Sequence, residues 1–135
     1  MKVVVVGAGY VGLVTGTCLA TWGHQIVCVD SDKDKVDAIS NGRSPIFEKD
    51  LEGLIKDAVG SRKLRATTDF SSAFEDSKVS IIAVGTPYGP SGVDLLAIKN
   101  VAMDIARWLA KVNHYHVVIV KSTVLPGTTE KIVGK

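Results

Sequence analysis

The sequence has few cysteines and no concentration of charge, and both absences narrow the class of protein. Only two of the 135 residues are cysteines, Cys18 and Cys28. Two cysteines so placed give neither a disulfide framework nor a metal-ligand spacing. The 16 basic and 14 acidic residues leave a net charge of +2, with no block of either sign. Because a nucleic-acid-binding surface needs clustered lysine and arginine, we expect no nucleic-acid partner.

Charge is also missing from a long segment near the start of the chain, residues 3–22. An uncharged run of this kind could be read as a membrane helix or a signal peptide. It is interrupted by Gly7, Gly9, Gly12 and Gly16, and a second apolar run that ends in an acid follows it. This pattern favours a buried strand joined to a buried helix. We therefore expect a soluble, cytoplasmic protein with no membrane partner.

Short apolar runs alternate with helical stretches along the chain. Apolar runs without polar alternation are typical of strands covered on both faces. The predicted strands are residues 2–6, 25–30, 64–67, 79–84 and 116–121. The predicted helices are residues 10–23, 32–41, 50–59, a short segment ending near 76, and 94–111. Strands that alternate with helices predict crossover connections. The length suits one domain, so we expect an α/β fold with a Rossmann-like, doubly wound parallel sheet.

The first predicted strand is followed by GAGYVG, residues 7–12, which is a G-x-G-x-x-G pattern. Gly7 would allow the tight turn, Gly9 would let a pyrophosphate approach the backbone, and Gly12 would let the helix pack on the strand. The helix N-terminus would offer free N–H groups to phosphates. The alternative is a glycine-rich turn without a ligand. The strand before the pattern and the helix after it favour dinucleotide binding.

Asp30 ends the second predicted strand, 18 positions after Gly12. A carboxylate there can accept hydrogen bonds from the adenosine ribose of NAD and would repel the extra phosphate of NADP. Asp30 could instead cap the next helix together with Ser31 and Asp32. The two roles are compatible, and the position favours NAD as the cofactor.

Two further loops follow the fourth and fifth predicted strands, VGTP at residues 84–87 and KSTVLPGT at residues 121–128. Ligands bind at the carboxyl ends of strands in an open parallel sheet. Small hydroxyl residues there could bind a ribose, a nicotinamide amide or a water, although ordinary turns have a similar composition. Cys18 and Cys28 are interpreted as small buried apolar residues. The three histidines are isolated and receive no chemical role.

Together these segments resemble the nucleotide-sugar 6-dehydrogenases, the UDP-glucose and GDP-mannose dehydrogenase family. The matching stretches are VVGAGYVGLVTG, VDSDKDKVDAISNGRSPIFE, VGTP and VKSTVLPGTT, which follow one another in the family's order and spacing from residue 5 to residue 129, so the resemblance extends along nearly the whole chain. The resemblance implies NAD-dependent oxidation of a sugar C6 alcohol to a carboxylate. It also implies a thiohemiacetal and a thioester on a cysteine as intermediates.

The resemblance implies roles for particular residues. Gly7, Gly9, Tyr10, Val11 and Gly12 would form the cofactor-binding turn, with the backbone amide of Val11 at the pyrophosphate. Four further residues would contact the other parts of the cofactor. Asp30 and Lys35 would bind the adenosine ribose, Thr86 would lie near the other half, and Thr123 would contact the nicotinamide end and hold a catalytic water. Glu48 is given only a structural role.

The sequence also departs from the family pattern. Lys49 and Asp50 stand where members often have Pro-Gly, which puts the local loop in doubt. The later family motifs, with the acid/base glutamate and the nucleophilic cysteine, are absent. We therefore interpret residues 1–135 as the NAD-binding N-terminal part of a longer enzyme, inactive alone. The longer protein would be a homodimer that takes its nucleotide-sugar substrate on the missing part, with UDP-glucose favoured over GDP-mannose.

Two other functions remain open from the sequence. One is a regulatory NAD-binding module, which needs a similar length and the same acid after the second strand but no catalytic loop. The other is the NAD domain of a related hydroxyacid-type dehydrogenase, which would not be expected to carry VKSTVLPGT. Fold alone does not decide among such functions.

Overall fold

The computed structural model describes residues 1–90 and 92–134, which place helices on both faces of a parallel sheet. The sheet contains β1 (Lys2–Val6), β2 (Gln25–Val29), β3 (Leu64–Thr67), β4 (Val79–Ile82) and β7 (Val117–Val120). A small antiparallel ribbon pairs β5 (Tyr88–Gly89) with β6 (Gly92–Val93). The helices are α1 (Tyr10–Thr21), α2 (Lys33–Ser40), α3 (Leu51–Gly60), α4 (Phe70–Phe74) and α5 (Leu96–Leu109). A short π-helix spans Thr129–Val133.

The strand order β3-β2-β1-β4-β7 confirms the predicted doubly wound sheet. The chain moves outward from β1 through β2 to β3, and then crosses to β4 on the other side of β1. In the register, Val5 lies beside Cys28 of β2 and Ile81 of β4. The order therefore reverses between β1 and β4, and such a reversal opens a crevice outside the carboxyl ends of the strands.

The central strands are buried on both faces, as their unbroken apolar runs predict. In β1 the four valines are at most 6% exposed. One face packs against α1, α2 and α3 through Leu13, Ile39 and Ile55. The other packs against α4 and α5 through Phe74 and Ile98. Strand β7 is equally apolar, but its burial alternates because it lies at the edge of the sheet. One of its faces is less covered.

Several predicted boundaries need correction. Helix α1 ends at Thr21 rather than at residue 23, and β4 ends at Ile82 rather than at residue 84. Helix α5 begins at Leu96 rather than at Asp94, because the Asp94 carboxylate accepts a hydrogen bond from the Leu96 N–H at 2.8 Å outside the helix. The β5–β6 ribbon, between the fourth predicted strand and the helix predicted at 94–111, was not predicted. Within the described residues no helix combines the length and apolar character that crossing a bilayer requires.

Candidate functional site

The glycine turn lies where β1, β2 and β4 end side by side. The Gly7 N–H donates to the Val29 carbonyl at 2.8 Å. The φ angle of Gly7 is 102°, a left-handed conformation that residues with a side chain rarely adopt. A Cβ added at this position would lie 2.6 Å from the carbonyl oxygen of Ala83. The turn therefore needs glycine for both its conformation and the close approach of β4.

Gly12 and Gly9 lack a side chain for different reasons. A Cβ added at Gly12 would collide with the Gly7 carbonyl oxygen, so Gly12 allows α1 to pack directly on the turn. A Cβ added at Gly9 would meet no heavy atom within 4 Å. Gly9 also has a φ of −80°, which any residue can adopt. The fold itself does not require glycine at position 9, whereas a ligand approaching the backbone would.

The N-terminus of α1 faces this open space. Its N-cap residue, Gly9, has no side chain to accept from the first-turn amides, and the first turn contains no acidic residue. The first N–H groups of a helix have no partner within the helix. Together with the positive end of the helix dipole they form a site for an anion. Tyr10 and Val11 begin the helix and are both exposed, at 55% and 45%.

Asp30 joins the end of β2 to the glycine turn. One carboxylate oxygen accepts from the Ala8 N–H at 2.7 Å, and the other accepts from the Asp32 N–H at 2.9 Å. The cap of α2 is Asp32 rather than Asp30, since the Asp32 side chain accepts from the Asp34 and Lys35 amides. Asp30 therefore fixes the turn as well as facing the crevice. A carboxylate oxygen has two lone pairs, so each can still accept a ribose hydroxyl.

Lys35 lies in the first turn of α2, near Asp30 in sequence. Its ammonium group is 3.7 Å from the Asp32 carboxylate, and both side chains are partly exposed. An exposed pair of this kind contributes little to stability. Lys35 is therefore free to exchange this contact for another anion or hydroxyl.

The two predicted hydroxyl loops are joined to each other. The Thr86 hydroxyl donates to the Thr123 carbonyl at 2.8 Å, and the Ser122 hydroxyl donates to the Val84 carbonyl at 2.7 Å. Parallel pairing of β4 with β7 brings the ends of both strands to one edge. The structure thus brings Thr86 and Thr123 together, and it gives Ser122 a bridging role that the sequence did not indicate.

Tyr10 binds a loop that the sequence left without a function. Its hydroxyl donates to the Phe47 carbonyl at 2.8 Å, which ties residues 43–50 to the first turn of α1. Glu48 contributes only its carbonyl, which accepts from the Leu51 N–H at 3.3 Å. At the end of this loop Asp50 has a φ of 64°. Asp50 thus adopts a left-handed conformation that favours glycine.

A cavity of about 380 Å³ opens beside the glycine turn and Asp30. Its other walls come from Phe70, Val84 and one face of α5. That face consists of Ala97, Asn100, Val101 and Asp104. The sequence analysis predicted this helix and assigned no binding role to this face. The i, i+3, i+4, i+7 spacing of the four residues was the available signal.

The two cysteines lie in α1 and β2, and the Cys28 thiol is buried. Cys28 is 1% exposed. Its burial, together with the charge of Asp30, raises the pKa of the Cys28 thiol to about 12. Cys18 is a free, half-buried residue of α1. Among residues 1–90 and 92–134 no group of three or more His, Cys, Asp or Glu side chains is placed to hold a metal ion.

This geometry is shared with proteins of known activity. Residues 1–135 match the NAD binding domain of the UDP-glucose/GDP-mannose dehydrogenase family. The chain is 42% identical over 134 residues to GDP-mannose 6-dehydrogenase of Pseudomonas syringae pv. tomato, covering 98% of this chain. It is 43% identical over 134 residues, again 98% of the chain, to UDP-glucose 6-dehydrogenase of Rhizobium meliloti.

A similar structure is also known. A crystal structure of GDP-mannose dehydrogenase from Pseudomonas aeruginosa, described as a ternary complex, superposes with a TM-score of 0.95 at 42% identity. The match covers 98% of this chain and 31% of that chain. The chain likewise spans 31% of the Pseudomonas syringae protein and 30% of the Rhizobium meliloti protein.

Proposed function

Because the chain belongs to the UDP-glucose/GDP-mannose dehydrogenase family and is its NAD binding domain, we propose that it serves a nucleotide-sugar 6-dehydrogenase. In this role it holds NAD across the glycine turn while the C6 alcohol of a UDP- or GDP-sugar is oxidised to the carboxylate. The observation that carries the proposal is the pairing of Gly9, whose side-chain position opens into empty space, with the uncapped N-terminus of α1.

The pyrophosphate is held by the start of α1. The Val11 amide and its neighbours in the first turn donate to the phosphate oxygens, and the helix dipole adds a favourable field. Gly7 and Gly12 contribute by keeping the turn tight against β4 and α1 rather than by touching the ligand. Tyr10 contributes through its backbone and through the loop that its hydroxyl anchors.

The adenosine ribose is held by Asp30 and Lys35. The Asp30 carboxylate accepts from the ribose hydroxyls with its remaining lone pairs. Lys35 leaves its exposed contact with Asp32 to reach the same ribose. A 2′-phosphate in place of the hydroxyl would bring negative charge against Asp30, so NAD is preferred to NADP.

The nicotinamide half lies over the joined loops after β4 and β7. NAD, when bound, supplies the acceptor for hydride from the sugar. Thr86 is fixed by its bond to the Thr123 carbonyl, which holds the two loops at a constant separation. Thr123 is exposed at the end of β7, and its hydroxyl serves the nicotinamide end and holds the water used in catalysis.

The substrate is proposed only as a class, a nucleotide-sugar. The GDP-mannose relative is 42% identical and the UDP-glucose relative 43% identical, so this domain does not separate the two. The sequence-based preference for UDP-glucose therefore gains no support. The family match favours a nucleotide-sugar dehydrogenase over both the regulatory module and the hydroxyacid-type enzyme. Homodimerisation of the longer protein remains part of the proposal.

The test is a calorimetric titration of NAD into the wild-type chain and into Gly9→Ala. Alanine fits the backbone at position 9, so the melting temperature should not change. Its methyl group would occupy the space in front of the α1 amides and should weaken NAD binding by about tenfold or more.

The control is Gly53→Ala, at an exposed glycine of α3 with no heavy atom within 4 Å of the added Cβ. It should bind NAD as the wild type does. A wild-type chain that fails to bind NAD would disprove the proposed function. Equal affinities for wild type and Gly9→Ala would disprove the proposed position of the pyrophosphate.

A further inference from the structure

One face of α5 turns away from the core and lines the cavity beside Asp30. The core face of the helix contains Ile98 and Ile105, which are at most 2% exposed. The cavity face carries Asn100 and Asp104 instead. These two polar side chains give the cavity wall hydrogen-bonding groups.

The cavity runs from β2 towards α5. Asp30 directly follows β2, and α5 packs through Ile98 on the sheet face that β2 shares with β1 and β4. Because Asp30 and α5 line the same cavity, the base of a ribose bound at Asp30 has room to extend towards α5. Phe70, Val84 and Val101 give this space apolar walls that suit a flat heteroaromatic ring.

Asp104 differs chemically from Asn100, the other polar group that α5 contributes to the wall, and Asp30 is a second carboxylate lining the same cavity. Hydroxyl and amide side chains, such as that of Asn100, can both donate and accept, so they adapt to either kind of base edge. A carboxylate at neutral pH only accepts. One oxygen of Asp104 is held by Arg107 at 2.9 Å, and the other carries no such charge partner. Arg107 thus fixes the orientation of an acceptor-only group.

We propose that Asp104 makes the cofactor site selective for adenine by accepting a hydrogen bond from its 6-amino group. The proposal rests on the proposed NAD binding at the glycine turn. Hypoxanthine has an oxygen in place of the 6-amino group. Its 6-oxo group would face the Asp104 oxygen that Arg107 does not bind as a second acceptor with no proton between them, because the N1–H of hypoxanthine lies at the neighbouring ring position. Arg107 is a positioning residue in this arrangement.

The experiment compares NAD with nicotinamide hypoxanthine dinucleotide on the full chain by calorimetric titration. The wild type should bind NAD about tenfold or more tightly, because an unpaired acceptor against a charge is costly. In Asp104→Asn the amide can donate to the 6-oxo group, so the ratio of the two affinities should fall to within about threefold. A ratio measured on one protein does not depend on the fraction that is folded.

Asp57→Asn, which makes the same change on α3 away from the cavity, is the control and should keep the wild-type ratio. Equal affinities in the wild type, or an unchanged ratio in Asp104→Asn, would overturn the selectivity proposal while leaving NAD binding intact. If the wild type bound neither dinucleotide, the proposed function would fail instead, so the two failures are distinguishable.

Discussion

At the scale of single residues, Asp50 is a point of strain in the loop that Tyr10 anchors. Its φ of 64° lies in the left-handed region, where a side chain costs about 1–2 kcal/mol relative to glycine. Asp50 is the N-cap residue of α3, yet its side chain makes no capping hydrogen bond. No capping hydrogen bond therefore offsets the free-energy cost of the left-handed conformation of Asp50.

We predict that Asp50→Gly raises the free energy of unfolding. The gain should be about 0.5–1 kcal/mol, because relief of the left-handed conformation exceeds the entropy that glycine loses on folding. Urea denaturation measures the change. The same substitution at Asp57, inside the right-handed helix α3, should lower stability, since glycine is a poor helix former. A loss of stability in Asp50→Gly would contradict this interpretation of the loop.

Residue roles were predictable from the sequence where a motif dictates the backbone, and less so where the fold joins distant segments. The functions of Gly7 and Gly12 follow from the motif alone. The bond from the Ala8 N–H to Asp30 joins residues 22 positions apart and depends on the pairing of β1 with β2. Likewise the bond between Thr86 and Thr123 depends on β4 pairing with β7. Neither bond has a local sequence signal.

At the scale of elements, the contacts of His116 hold the start of β7. The His116 ring lies 3.0 Å from the Ser80 hydroxyl and 3.3 Å from the Ser77 carbonyl, and it packs edge-on against Trp108. Burial is the main cause that lowers the pKa of His116 below 6.5. The charges of His114 and Lys78 act in the same direction, and the Ser77 carbonyl opposes them.

We predict that acid destabilises the chain through His116. Since its pKa is lower in the folded state, the unfolded chain binds more protons below pH 6.5, and stability falls as the pH falls. Urea denaturation from about pH 7.5 to about pH 5.5 should show this loss, and the loss should be smaller in His116→Gln. Above about pH 7.5 the free energies of unfolding of the wild type and His116→Gln should differ by a constant amount. A parallel loss in both proteins over the whole range would exclude His116 as the source.

The elements themselves were largely predictable because their periodicity is strong. The bounds of β1 and β3 agree with the prediction. The β5–β6 ribbon could not be foreseen, because its two-residue strands are too short to show alternation. For α5, the apolar core face hid the second face that lines the cavity. A helix face that packs in the core shows a regular apolar spacing in the sequence, whereas a binding face next to it shows a weaker pattern.

At the scale of the whole molecule, the chain is an NAD binding domain with two cysteines, and we assign neither of them to the second step of the proposed oxidation. That step needs a thiolate to convert the aldehyde into a species that can donate hydride again. The Cys28 thiol is buried with its pKa raised to about 12. Cys18 is a half-buried residue of α1.

We therefore predict that residues 1–135 bind NAD but do not oxidise nucleotide-sugars. The purified chain is mixed with NAD and either UDP-glucose or GDP-mannose, and the absorbance of NADH is followed. No sustained increase is expected, because loss of substrate positioning alone removes about 7 kcal/mol or more of the catalytic effect. Sustained turnover free of contaminating enzyme would disprove this division of roles, and its loss in a Cys18→Ser, Cys28→Ser double variant would also disprove the assignment of the two cysteines as inert.

The most direct test of the central claim is the affinity of the chain for NAD compared with NADP. Asp30 lies at the end of β2 with both oxygens directed by the Ala8 and Asp32 amides, and the residue directly after it is Ser31 rather than an arginine. Calorimetric titration should find NAD bound more tightly by about 2 kcal/mol or more, and Asp30→Ala should narrow the gap mainly by weakening NAD. Equal affinities for the two dinucleotides, or tighter binding of NADP, would contradict the account.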